Sequence, residues 1–400
     1  MVLFKFMHRF LTGQTAMDSA KFTPIQQKQL VRTLENAWAF VPGKLPPRLD
    51  LARIALPLAS ASVAIGELKG AARRLQNPYM LIGPLQRREA MTSSAMEGTI
   101  TTLGDLVLEE AGAQPPQGGD AREAFNYVRA IEAATRLLEK LPISHRVIKE
   151  AHSILLQGLS PARGAGKRPG QYKLHQNAVG QRGETIQSAR YVPPPPQQTQ
   201  QCMDELEFYI NQEHQGAAER LIKLALVHYQ FEAIHPFDDG NGRIGRMLIT
   251  LMAQQSGLLD LPLLHVSAHL EQNKDEYIDR LFAVSTEARW EEWINFFFNA
   301  IEKSCSEATA IVDRIILLQS GLRRKAMDAG KSPRLPMIVD ALFDKSWTNA
   351  TEIQKLCKVT FPTAQSDLKT LVQNGLLREM QGRASKIYFA PEILALSDRN

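Results

Sequence analysis

A histidine, two acids, a Gly-Asn-Gly turn and two arginines fall within twelve positions, His235-Pro-Phe-Asp-Asp-Gly-Asn-Gly-Arg-Ile-Gly-Arg246. These residue types cover what phosphoryl-type chemistry needs. His235 is a candidate general base, and Asp239 a candidate ligand for a hard divalent cation. Gly240 and Gly242 permit the backbone conformations that turn successive N–H groups into one concavity, a nest for an anion. Arg243 and Arg246, three apart, would reach the same anion from one side of a helix. Taken singly, each has a plainer reading: a cap, a solvated turn, a polar helix face. The order and spacing of the whole set favour chemistry.

The elements that must hold these residues are readable on both sides. Ala218 to Ile234 has helical spacing, with Leu221, Leu224, Ala225, Phe231 and Ile234 on it. Pro236 disfavours helix at the residue before it, so His235 should sit where the chain turns out of this helix. A second helix should start near Arg243, carrying Ile244, Met247, Leu248 and Leu251, and stop at Gly257. Its N-terminus brings unpaired N–H groups to the anion. Phe237 reads as a core anchor for the intervening loop.

The stretch resembles the signature of the Fic family, His-x-Phe-x-(Asp/Glu)-Gly-Asn-Gly-Arg-x-x-Arg, with every specified position filled. The resemblance implies a nucleotidyltransferase that moves AMP from ATP to a Ser, Thr or Tyr hydroxyl of a target protein, releasing pyrophosphate. The residues alone indicate only an anion and a base. Carried over by position, His235 would accept the hydroxyl proton and Asp239 would hold Mg²⁺ between the α- and β-phosphates. Asn241 with the Gly240 and Gly242 amides would cradle the α-phosphate, Arg243 would take the more distal phosphates, and Arg246 the γ-phosphate. The protonation of His235 stays open at this point. A helix C-terminus favours imidazolium, whereas adjacent arginine and Mg²⁺ favour the neutral ring.

Ser93-Ser-Ala-Met-Glu97-Gly98 is similar to the family's inhibitory pattern, Ser/Thr-x-x-x-Glu-Gly/Asn. Ser93 and Glu97 share one helical face, and Gly98 suits a left-handed stop. The resemblance implies that Glu97 pairs with Arg246 and withholds it from the γ-phosphate. The run from Gln171 to Val192 reads as two extended segments around a Gly-rich turn and resembles the family flap, on which a target segment would dock as an added strand. Val179 and Gly180 would then meet the nucleotide. Arg168, Lys173 and Arg182 give this run a basic cast expected to be solvated. Tyr277 is placed near the adenine. The family's asparagine a turn or two later is replaced by Ala283-Val-Ser-Thr-Glu-Ala, and Trp290 and Trp293 read as core.

The expected fold is all-α, a Fic-type helical core with a small β-hairpin flap plus a C-terminal winged helix. The units expected are a flexible tail (1–22), a helical N-terminal region bearing the inhibitory helix (23–113), the core (114–300), a connecting helix (301–331) and the winged helix (332–400). Within them, helices are expected over Leu85 to Glu97, Arg122 to Lys140, His145 to Leu159 and Ile301 to Met327, with a Gly/Pro linker at 114–119. Translation could begin at Met7 or Met17. The C-terminal pattern gives helices at 337–343, 351–356 and 362–374, then strands at 376–378 and 386–389 around Arg383. That unit carries nine Lys/Arg against seven Asp/Glu, a small excess for phosphate neutralisation. Protein docking or a homodimer is therefore expected ahead of DNA binding.

Composition sets limits. With 400 residues, 44% hydrophobic and 22% charged, the chain has ordinary globular content, and a net charge of +5 is too mild to demand nucleic acid or membrane partners. Three cysteines without metal-type spacing suggest reduced thiols and a cytoplasmic setting. No apolar run reaches the length of a membrane span. Two alternatives remain beside the transferase: AMP removal at the same site with Glu97 orienting water, and a DNA-binding regulator using the winged helix.

Overall fold

The apolar periodicities between Leu51 and Met327 become a succession of helices wrapped around one buried pair. The computed structural model describes residues 17–75, 77–112, 118–161, 164, 166–180, 185–213, 216–382 and 386–397. In chain order the helices are α1 (Ala55–Ala72), α2 (Tyr79–Met96), α3 (Leu103–Glu110), α4 (Gly118–Leu138), α5 (His145–Leu155), α6 (Pro196–Ile210) and α7 (Ala217–Ile234). They continue as α8 (Asn241–Gln255), α9 (Ser267–Gln272), α10 (Lys274–Glu287) and α11 (Trp290–Ala329).

Helices α7 and α8 pack on each other at the centre. Leu221, Leu224, Phe231 and Ile234 on α7 and Ile244, Met247, Leu248 and Leu251 on α8 are all buried. Each such side chain contributes roughly 1.5–3 kcal/mol on leaving water. Around this pair, α4 lies on α5, α1 runs along α11, and α2 packs against α4 and α9. Trp293 is fully buried, its indole N–H donating to the Ala225 carbonyl at 2.9 Å. Trp290 is half-buried, edge-on to Tyr229.

The N-terminal expectation needs correction. Met7 and the rest of 1–16 lie outside the described residues, but the chain is already docked at Met17, and Phe22 is buried. Phe22 packs on Phe40 and Phe282, so a loose tail to residue 22 is excluded by apolar burial. A second hairpin follows, β1 (Leu30–Arg32) paired antiparallel with β2 (Trp38–Phe40) in the register Leu30↔Phe40. Strands of three residues carry too little alternation to be read from sequence.

This hairpin backs the flap. The Met17 N–H donates to Ala189 O at 2.9 Å and the Phe40 N–H to Val192 O at 2.9 Å. The flap itself closes through one antiparallel bridge, Val179↔Tyr191, with N–H···O distances of 2.8 and 3.1 Å. Its tip, with Arg182, lies outside the described residues, as does most of the expected linker.

Helix α11 has 40 residues, so the expected boundary between core and connecting helix falls inside one continuous element. After it come α12 (Arg334–Asp344), β3 (Trp347–Thr348), α13 (Ala350–Cys357), α14 (Phe361–Gln373), β4 (Arg378–Gln381), β5 (Lys386–Phe389) and α15 (Pro391–Leu394). The three strands form an antiparallel sheet in the order β3-β5-β4. Strand β3 adds a pairing that the two-strand reading omitted, and Arg383 lies outside the described residues. This unit is joined to α2: Arg87 donates to both Glu110 oxygens and to the Ser346 hydroxyl, and Asn77 donates to Asp344.

Candidate active site

The site forms where α7 stops. His235 caps the helix in the left-handed conformation (φ 48°, ψ 61°), its N–H still donating to Phe231 O at 2.9 Å, and Pro236 blocks further helix. The loop is then anchored from below. Phe237 is fully buried and stacks on His152 with ring centroids 3.7 Å apart. The Asn241 amide clamps the loop across itself, accepting from Phe237 N and donating to Phe237 O, both at 2.8 Å. That side chain is therefore committed to the turn, and what Asn241 can offer an anion is its backbone N–H. Gly240 enters α8 at φ 78°, where an L side chain would be strained.

His152, on α5, was not anticipated. Its Nδ1 accepts from the Gly170 N–H at 2.9 Å, which leaves Nε2 to donate to the Asp239 carbonyl at 2.9 Å. Burial holds this ring neutral, pushing its pKa down to about 4. A histidine eighty-odd residues from the loop gives no sequence signal for such a role.

The arginines are already engaged. Arg243 donates to Glu123 of α4 at 3.1 Å and to Asp239 at 3.2 Å, the first being a pair buried on both sides. Glu123 also accepts from the Thr99 hydroxyl at 2.8 Å, so it ties the segment after α2 to the anion loop. Arg246 donates to the Ser93 hydroxyl at 2.8 Å, the Ser93 carbonyl at 2.9 Å and Glu97 Oε1 at 2.8 Å. Ser93 and Glu97 thus act on one guanidinium from one face of α2, and Gly98 follows at φ 85°.

Burial works against the charge of Arg246, but Glu97, Tyr277 and Glu232 outweigh it and hold the pKa above its ordinary value. Burial likewise opposes ionisation of Glu97, and Arg246 with Arg243 reverses the balance, leaving its carboxyl below the usual range. The pair lies directly over Gly242, where a β-carbon would run into Glu97 Oε1 and the Arg246 guanidinium.

These groups line one side of a cavity of about 880 Å³. Val179 and Gly180 from the flap, Tyr277 from α10 and His235 from the loop face the same space. Tyr277 is largely buried and its hydroxyl donates to His228 Nε2 at 3.0 Å. Glu232, one turn before His235, is a further wall residue. Burial pushes its pKa up to about 7, and its Oε1 has no hydrogen-bond partner among the described residues.

The ring of His235 is fixed by a contact of 3.3 Å between Nδ1 and Glu232 O. With the proton on Nδ1, Nε2 is left as the accepting atom. Burial is the main reason the imidazole stays neutral, lowering its pKa to about 4, with Lys173 adding to the effect. Burial and Lys173 thus oppose the helix dipole and favour the neutral ring. Lys173 itself corrects an expectation: it is 2% exposed, not a solvated flap charge. Its neighbour Arg168 donates to Tyr172 O at the surface of the same segment.

Comparison with known proteins agrees with this geometry. Residues 56–136 match the Fic/DOC family N-terminal region, and residues 142–253 match the Fic/DOC family. The protein adenylyltransferase Fic of Drosophila virilis is 30% identical over 172 residues, 41% of this chain and 32% of that protein. That of Drosophila yakuba is 28% identical over 201 residues, 48% of this chain and 36% of that protein. The chain therefore spans about a third of the length of these curated relatives. A Fic family protein from Desulfovibrio desulfuricans shares the fold, with a TM-score of 0.55 and 18% identity, over 86% of this chain and 98% of that one. The motif between His235 and Arg246, the two matched segments and the shared helical architecture identify residues 56–136 as a Fic/DOC family N-terminal region and residues 142–253 as a Fic domain.

Proposed function

We propose that the protein is an autoinhibited adenylyltransferase, transferring AMP from ATP to a hydroxyl of a target protein and to itself. The observation that carries this reading is the Glu97–Arg246 pair over Gly242, in the same cavity as a neutral His235. His235 Nε2 takes the proton of the attacking Ser, Thr or Tyr hydroxyl. The Gly240, Asn241 and Gly242 amides at the start of α8 hold the α-phosphate. Arg243 serves the more distal phosphates, exchanging one carboxylate contact for a phosphate. Arg246 is the γ-phosphate clamp, and Glu97 occupies it.

Asp239 fits a Mg²⁺ that is shared with phosphate. Its Oδ1 accepts from Gly240 N at 2.6 Å and from Arg243, and no protein donor among the described residues engages Oδ2. No cluster of three ligating side chains exists among the described residues. One carboxylate, completed by phosphate oxygens and water, is the coordination Mg²⁺ usually takes. When bound, the ion would neutralise charge on the departing pyrophosphate.

The target docks as an extended segment along the flap at 171–192, beside the Val179–Tyr191 bridge. The C-terminal unit is read as a winged helix used for protein docking or homodimer formation; its helix–strand–helix–helix–strand–strand order supports this. No helix among the described residues is long and apolar enough to cross a membrane, which fits an aqueous, cytoplasmic site of action.

The test is incubation with α-phosphate-labelled ATP and Mg²⁺, using the native chain and Glu97→Gly. Label should appear on protein, more strongly in the variant. Absence of label in both, with folded protein and bound ATP, would overturn the reading. Faster loss of AMP from a labelled target with the native chain than with the variant would instead assign AMP removal.

A further inference from the structure

Lys173 sits in the segment leading into the flap, where its ammonium reaches across to the end of α7. It donates to Ile234 O at 3.3 Å, to His235 O at 3.1 Å and to Asn177 Oδ1 at 2.7 Å. Asn177 in turn donates to His235 O at 3.0 Å and Phe237 O at 2.9 Å, and the Lys173 backbone N–H donates to Pro236 O at 2.9 Å. All three partners of the ammonium are neutral amide oxygens; no carboxylate touches it among the described residues. Burying a positive charge this way is costly, and here the charge lies behind the candidate base.

We propose that Lys173 is a positioning residue for His235: it ties off the terminal carbonyls of α7 and places a positive charge behind the imidazole, keeping Nε2 unprotonated. Without it, the carbonyl end of the helix would favour imidazolium. The inference rests on the reading of His235 as the base.

The surrounding charges pull in both directions. Glu97 from the end of α2 favours a protonated ring, and so does the Glu232 carbonyl on its own helix. Arg246 of α8 shares the cavity and is matched by Glu97, while burial raises the Glu232 carboxyl to about 7, so that it gains its proton as the pH falls through neutrality. Lys274 and Asp275 of α10 and the Arg190–Asp279 pair line the same cavity with opposite charges, while Cys202 of α6 and Asp238 in the loop favour the charged form of Lys173. Lys173 is the cation that burial cannot neutralise in the range that matters. Burial lowers its pKa to about 7, so its charged form predominates in the interval below 6.5 in which a free imidazole would gain its proton. Above that range the ring is neutral without help.

Because Lys173 belongs to the flap segment, the same contact couples flap seating to the state of the base. A target strand that shifts the flap would move the ammonium relative to His235.

The experiment is a histidine-detected NMR titration of the full chain from pH 4.5 to 8.5. His235 is assigned by its loss in His235→Asn, and no AMP transfer is required. The native ring should show no midpoint above about pH 5. Lys173→Arg should preserve this, whereas Lys173→Met should raise the midpoint by about one pH unit, the size of effect an adjacent charge exerts. Lys173→Gln, which keeps a donor for the carbonyls, should behave as the methionine variant and serves if that one does not fold. The buried rings of His228 and His265 report folding by remaining neutral.

An unchanged midpoint in folded Lys173→Met or Lys173→Gln would overturn the proposal. Equal displacement in Lys173→Arg would also overturn it, by reducing the role to shape. In a Glu97→Gly background, the acid limb of AMP transfer should move up with the ring midpoint, through kcat and not through KM. If label transfer proves absent altogether, the titration still decides the role of Lys173.

Discussion

Glu97 and Arg246 meet at 2.8 Å although 149 positions separate them, and Gly242 leaves the space in which they meet. A carboxylate from the segment before the core thereby occupies a guanidinium of the core. The guanidinium offers the same donors to Glu97 that it would offer a phosphate.

Glu97→Gly should raise labelling from ATP by tenfold or more, a lowering of the barrier by about 1.4 kcal/mol. Arg246→Ala in that background should cancel the gain. Both effects are needed, because loosening α2 could activate by another route. Initial rates of label incorporation at saturating ATP and Mg²⁺ decide between them.

His235→Ala should lower transfer on the order of 100-fold or more, the usual cost of losing a general base. ATP affinity, measured by calorimetry, should stay within a few-fold, since the amides at the start of α8 and the arginines hold the phosphates. Turnover within about tenfold of the parent would remove His235 from the role.

Phe237→Ala should destabilise the protein by about 3–5 kcal/mol, because a buried ring stacked on His152 is lost and the loop closes poorly over the gap. Denaturant unfolding measures this. A loss under about 1 kcal/mol would mean that the Asn241 clamp and the His152 contact to Asp239 O hold the loop without the phenyl group.

Acid should weaken the fold through its buried histidines, with a partial offset from Glu232, whose raised pKa makes the folded chain take up a proton over the same range. His152, His228 and His265 have pKa values pushed down by burial to about 4, 3 and 3. Below the unfolded value near 6.5, the unfolded chain binds protons that the folded rings refuse, so stability falls with pH from 6.5 toward those lower values. Between pH 6.5 and 5 each ring should cost roughly 2 kcal/mol. Unfolding free energies at pH 7.5 and 5 that agree within about 1 kcal/mol would show that these rings are not buried neutral.

The active-site loop was legible because its parts are local. Proline after histidine, glycines at the turn and a helical run on each side each constrain their immediate neighbours. Ser93 and Glu97 were legible for the same reason, being four apart on one helix. Glu123, His152 and Glu232 were not, since each acts through packing that brings together distant helices or a buried wall. Lys173 was misread because a lysine beside glycines ordinarily faces water, and only the docking of its segment on the end of α7 buries it. The β1–β2 hairpin escaped because its order comes from Phe22, Phe40 and Phe282 meeting, not from alternation within the strands.

Helix α2 is gripped along its whole length. Asn77 and Arg87 anchor its first half to Asp344, Glu110 and Ser346, Glu89 holds Ser267, and Lys274 donates to Met96 O at 2.6 Å. Any signal that frees Arg246 by withdrawing this helix would have to break all of these fastenings at once. Swinging the Glu97 side chain about its own bonds, with Gly98 as a pivot behind it, breaks one. If Glu97 restrains Arg246 as proposed, the smallest change that withdraws its carboxylate is a rotamer change at the helix tip, which leaves the two Arg246 contacts to Ser93 in place.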